Sequence, residues 1–162
     1  MHHKRLFSVI WMILWLTWLG FVLIILSYPL DKFDGYPHWA NIHWLPFGHL
    51  SRGDLFETSA NVLIFIPFGY LTVRAWNRSR GEHPVFMASL LSFFLSCLLE
   101  FYQLFCHDRV PATTDLITNV AGGAVGGYLA ALISSSQRRR SVDEVEPGLE
   151  ATYEDVTIQP GG

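Results

Sequence analysis

The chain has 162 residues, of which 51% are apolar and only 15% charged, and its mean hydropathy is +0.29. Soluble domains carry roughly 25% charged residues, so this chain lacks the groups that keep a surface wet. Residues 1–137 balance eight Lys/Arg against eight Asp/Glu, and residues 138–162 set Arg138, Arg139 and Arg140 against six acids, which gives the net charge of −3. That distribution excludes a basic groove for nucleic acid. Cys97 and Cys106 lie on one apolar stretch about 13 Å apart at helical rise, too far for a disulfide.

The first element is an uncharged run of 25 residues, Leu6 to Leu30, between Arg5 and Asp31. It exceeds the ~20 residues needed to cross a bilayer. A cleaved signal would have a shorter apolar region ending in a small-x-small site, whereas this run ends in Ser27-Tyr28-Pro29, so a retained span is expected over 6–30. Trp11, Trp15 and Trp18 share one face of it. A loop over residues 31–57 follows. His38, His43 and His49 in that region lack the tight pair or cysteine partner that zinc spacing requires, and no metal site or other cofactor is expected.

The second span is expected over 58–76, with Pro67 and Gly69 marking a place where it could break. The third begins at Pro84, a residue favoured in the first helical turn, and runs to 106 with Glu100 as its one charge. The fourth follows the helix-start signals Thr113, Thr114 and Asp115 and covers 115–136. Residues 1–137 thus predict an all-α membrane bundle of about four spans, and residues 138–162 an acidic tail without regular structure.

Orientation follows from Lys/Arg. Lys4, Arg5, Arg74, Arg78, Arg80 and Arg138 to Arg140 fall on one side, and Lys32, Arg52 and Arg109 on the other. Eight against three predicts both termini in the cytoplasm. The polar residues inside the apolar segments then collect at the outer end: Asn61 on the second, Glu100 and Gln103 on the third, Asp115 and Asn119 opening the fourth. Glu100 and Gln103 are three apart and Asp115 and Asn119 four apart, so each pair shares a helix face. A carboxylate in hydrocarbon must face protein, water or a partner, and Arg109 is the expected partner of Glu100. Asp115 also suits a helix start, and Gln103 and Asn119 suit hydrogen bonding between helices. Gly122, Gly123, Gly126 and Gly127 make two overlapping GxxxG spacings, a helix-packing surface.

Three functions fit these residues. A binder would use Arg109 to contact an anionic, lipid-linked ligand in the outer leaflet, with Asn61, Glu100, Gln103, Asp115 and Asn119 around it. An enzyme acting on a lipid phosphate would use Glu100 as general acid or base, although no nucleophile signature of the G-x-S-x-G type is present. A structural subunit would dock another membrane protein through the glycine-rich helix. Membrane lipids are partners in every case, and nucleic acid in none.

The same positions carry a family resemblance. Asn41-Ile42-His43-Trp44-Leu45-Pro46-Phe47 resembles the N-x-x-x-x-P-F stretch ahead of the second helix in VanZ-like membrane proteins. Asn61 through Gly69 is similar to their N-x-x-x-F-x-P-x-G motif. Glu100 and Gln103, then Arg109, then Asp115, Asn119 and Gly122 or Gly123 resemble their E-x-x-Q…R…D-x-x-x-N-x-x-G signature. The resemblance covers about residues 6–135. It implies a multi-pass protein of the bacterial cytoplasmic membrane and a link to glycopeptide (teicoplanin) resistance.

Overall fold

A computed structural model describes residues 2–28, 33–48, 52–76, 83–107 and 110–157. Four helices account for most of them: α1 (His2–Ser27), α2 (Arg52–Ala75), α3 (Pro84–Gln103) and α4 (Thr113–Thr157). Each contains a stretch long and apolar enough to cross a bilayer, over Leu6–Ser27, Leu55–Ala75, Pro84–Gln103 and Thr113–Arg140. Against the spans expected from sequence, the second begins earlier and the third ends earlier, because the chain turns at Leu104, whose N–H still bonds the Glu100 carbonyl.

Polarity is arranged inside out. Phe7, Ile10, Ile13, Ile24, Phe86, Phe94 and Leu98 are exposed, while Asn61, Thr72, Ser92, Ser96, Gln103, Thr118 and Asn119 are buried. Apolar surface on this scale suits lipid, not water, and small or polar residues at the contacts let helix backbones approach. The molecule is a multi-pass membrane protein.

The four glycines of α4 set that approach. A Cβ at Gly122 would meet the Val62 carbonyl at 2.5 Å, and one at Gly126 would collide with the Ile66 carbonyl. A Cβ at Gly123 would collide with Ser92 Oγ, and one at Gly127 would meet Ala88 Cβ at 2.7 Å. Gly122 and Gly126 therefore admit α2, and Gly123 and Gly127 admit α3. The partner helix that these spacings call for is supplied within the chain. Gly69 of α2 meets Gly123 with the same closeness.

α1 packs on α2 through its tryptophans. Trp11 lies edge-on to Tyr70, Trp15 is edge-on to Trp76 at 4.9 Å, and Trp15 Nε1 donates to Thr72 Oγ1 at 2.9 Å. Between the helices sits a cluster of Val22, Phe65, Phe68, Leu95 and Leu99. At the end of the bundle where α2 finishes, Arg74 lies over the Trp11 ring at 4.7 Å, a cation–π contact.

Of the two readings left open for the second span, continuous or broken at Pro67, the structure shows the continuous one. Proline removes the bond that the Leu63 carbonyl would accept. In the same turn Trp18 Nε1 donates to the adjacent Ile64 carbonyl at 3.0 Å, so α1 meets α2 beside the proline. α4 continues beyond its apolar span to Thr157. Residues 158–162 lie outside the described residues.

At the opposite end, residues 33–48 form a cap over the link between α3 and α4. Asp34 N–H bonds the Phe105 carbonyl and His38 N–H the Leu104 carbonyl. Further along, His43 N–H bonds the Pro111 carbonyl, and the His43 carbonyl accepts from Thr113 N–H. Phe33 stacks on Tyr102 and Phe105. Phe47 has φ 58°, and its N–H donates to Thr114 Oγ1 at 3.0 Å. The Tyr36 N–H, and next the His38 ring, hold the Asp34 carboxyl below the usual carboxylate range.

Candidate functional site

A cavity of ≈170 Å³ opens at the cap end, between all four helices. α1 contributes Ile25 and Leu26; α2 contributes Phe56, Glu57, Ala60, Asn61 and Ile64; α3 contributes Leu99, Glu100 and Gln103; α4 contributes Asp115 and Asn119. The helical spacings explain the gathering. Glu57 and Asn61, Glu100 and Gln103, and Asp115 and Asn119 are each three or four residues apart, so α2, α3 and α4 each turn one polar face to the cavity. The structure thus brings together five residues singled out in the sequence: Asn61, Glu100, Gln103, Asp115 and Asn119. Arg109 lies outside the described residues.

Glu57 was missed. The sequence presents it as the charge that bounds the second apolar segment, but its spacing of four from Asn61 places it on the cavity face. That spacing is the signal that could have found it.

Glu100 has a partner that sequence reasoning did not foresee. Its Oε2 accepts the Ala112 N–H at 2.8 Å. Helix N-termini leave N–H groups without intrahelical partners and favour negative charge. At the start of α4, the Glu100 carboxylate takes the Ala112 N–H and the His43 carbonyl takes the Thr113 N–H. α3 and the cap therefore fix where α4 begins, and with it the positions of Asp115 and Asn119.

Asn119 is 2% exposed, and its Nδ2 donates to Ser96 Oγ at 2.9 Å across the α3–α4 contact. Its Oδ1 has no hydrogen-bond partner among the described residues. Asn61 and Gln103 are buried, while Glu100 and Asp115 are half-buried.

A second groove, of ≈250 Å³, lies on the other side of Glu100. Trp39, Ile42 and Trp44 of the cap line it with Leu104, Pro111 and Leu116, and its surface is almost wholly apolar. Trp39 and Trp44 are themselves exposed, as suits indole rings at a membrane–water interface. Glu100 thus stands between a polar cavity and an apolar groove. That arrangement can hold an amphiphile, with hydrogen-bonding groups on one side and hydrocarbon on the other.

Fold and site together define a multi-pass helical membrane protein with a carboxylate- and amide-lined cavity at one end. A family model described as VanZ/LLP1 matches residues 9–134. The chain is also similar to Protein VanZ of Enterococcus faecium, at 32% identity over 130 residues that cover 80% of this chain and 75% of that relative. No solved structure matches it. The chain belongs to the VanZ/LLP1 family, and the matched residues include every cavity-lining side chain.

Proposed function

We propose that the protein resides in the bacterial cytoplasmic membrane with both termini in the cytoplasm, and that it binds a lipid-linked, anionic envelope molecule at the outer-leaflet end. The observation that carries the binding reading is the juxtaposition of the polar cavity and the apolar groove across Glu100. The groove takes hydrocarbon. Glu57, Glu100 and Asp115 offer acceptors to hydroxyl and amide hydrogens, and the amides of Asn61, Gln103 and Asn119 offer both donors and acceptors. The described lining is acidic, so the anionic group is assigned to Arg109, which follows α3 in sequence. The family resemblance implies a link to teicoplanin resistance, which this binding would serve.

The orientation rests on the eight-to-three Lys/Arg distribution. An impermeant thiol reagent applied to intact cells should label cysteine at position 52 and spare position 78; the reverse pattern would place the cavity on the cytoplasmic side.

Native mass spectrometry of the full-length protein, extracted with its own lipids, tests the binding. A phosphate-bearing amphiphile should be retained above its share of the bulk lipid, and Arg109→Gln should lose it. Retention of bulk phospholipid alone would refute the reading. Turnover of a radiolabelled lipid phosphate that disappears in Glu100→Gln would replace binding by catalysis.

A further inference from the structure

The cap carries a second cluster, separate from the cavity. Asp34, His38 and His107 bring one carboxylate oxygen and two imidazole nitrogens within 4.8 Å of one another. His38 Nε2 lies 2.7 Å from Asp34 Oδ2, and His107 Nδ1 lies 3.9 Å from the same oxygen.

The backbone fixes this meeting. Asp34 N–H on the Phe105 carbonyl (3.1 Å) and His38 N–H on the Leu104 carbonyl (2.9 Å) fasten the cap to the segment that carries His107. The other carboxylate oxygen, Oδ1, accepts the Tyr36 N–H at 3.0 Å, which turns Oδ2 toward the imidazoles. Outer contacts of this kind orient the ligands in metal sites.

We propose that Asp34, His38 and His107 bind a single divalent transition-metal ion, with zinc the best match, and so clamp the cap to the α3–α4 link. Two imidazoles and one carboxylate with an open fourth position form a recurrent zinc donor set. Calcium and magnesium call for more oxygen donors than are present. Tetrahedral donors about 2.0–2.1 Å from zinc stand about 3.4 Å apart, and the observed 2.7 and 3.9 Å fall on either side of that spacing. The His107 side chain is 75% exposed, so closing around an ion requires side-chain rotation and leaves the backbone in place. The proposal is independent of what the cavity binds.

The test uses full-length protein in detergent, purified without a histidine tag and with His2 and His3 changed to Gln in every sample to remove chelation at the N-terminus. Zinc is titrated against a chromogenic chelator, and the visible spectrum of the cobalt-loaded protein is recorded. One zinc per chain is expected, with a cobalt spectrum of a four-coordinate nitrogen/oxygen site. Asp34→Asn and His107→Gln should each weaken binding by about tenfold or more. Asp34→His should retain it, because a third imidazole replaces the carboxylate, and His43→Gln in the same cap should leave it unchanged. Circular dichroism checks that each variant folds; if His107→Gln does not, the contrast between Asp34→Asn and Asp34→His decides. No zinc binding by the parent at micromolar ion would overturn the proposal, as would equal binding by the parent and Asp34→Asn, leaving a local Asp–His contact.

Discussion

α1 and α4 invert the rule that holds in water. α1 is the most apolar of the four spans and the least buried, whereas the less apolar α4 is the most buried. α1 turns Leu6, Ile10, Ile13 and Ile24 outward and touches the bundle mainly through its tryptophan face. α4 turns glycines to both neighbours. In lipid, apolarity does not select the interior, because acyl chains solvate leucine as well as protein does. Close approach and polar contact select it.

The sharpest test of that contrast places the same kind of change on each helix. Gly126→Leu should be the most damaging, since even its Cβ collides with the Ile66 carbonyl of α2 and backbone cannot rotate away. A loss of about 3 kcal/mol or more is expected, read as reduced folded yield and a lower melting temperature in detergent. Retention of parental stability would show that α2 and α4 are farther apart than described.

Glu100→Ala should come next. It leaves the Ala112 N–H without its carboxylate at a cost of about 1–3 kcal/mol, concentrated at the start of α4. Amide exchange at residues 112–114 should therefore accelerate more than exchange in the middle of the helix. Glu100→Gln keeps an acceptor and should cost less, and equal losses in the two variants would argue against the capping role. Combined with Arg109→Gln, it also separates an ion pair from a ligand site. Recovery of both stability and phenotype in the double variant would mean that the two residues only neutralise one another.

Asn119→Ala removes the hydrogen bond to Ser96 Oγ, and such bonds between membrane helices average about 0.6 kcal/mol. Its effect on stability should be small beside its effect on ligand retention. A purely structural Asn119 would show the stability loss alone.

Gly20→Ala on α1 closes the series with the opposite sign. No neighbour lies within 4 Å of a Cβ there, so the gain in helix propensity, about 0.5–1 kcal/mol, should appear as a slightly higher melting temperature. A destabilised Gly20→Ala would show that α1 meets a surface at that position which the monomer lacks.

Much of this organisation is legible in the primary structure because membranes impose simple rules. Uncharged runs mark spans, and Glu100/Gln103 and Asp115/Asn119 announce shared faces through helical spacing. Asn61 joins them by depth alone. Glu57 was hidden because its charge looked like the end of a segment, and the partner of Glu100 was hidden because a backbone N–H leaves no mark in a side-chain pattern. α2 runs unbroken through Pro67, where Trp18 of α1 bonds the neighbouring Ile64 carbonyl, a contact between helices that local propensity cannot register.

The sequence by itself therefore determined the class: an all-α protein with four apolar spans, a glycine-rich fourth helix and polar residues set at a common depth. Length, charge and helical period are local properties, and the bilayer acts on them directly. Only the tertiary structure decided which glycines face α2 and which face α3, that Glu100 caps α4, and that a cap from the first loop crosses the α3–α4 link. Those outcomes depend on backbone contacts between residues far apart in the chain. The pairing of Asp34 and His38 with His107 is of the same kind: the first two lie four apart in one loop, but the third reaches them only because the cap is hydrogen-bonded to the end of α3.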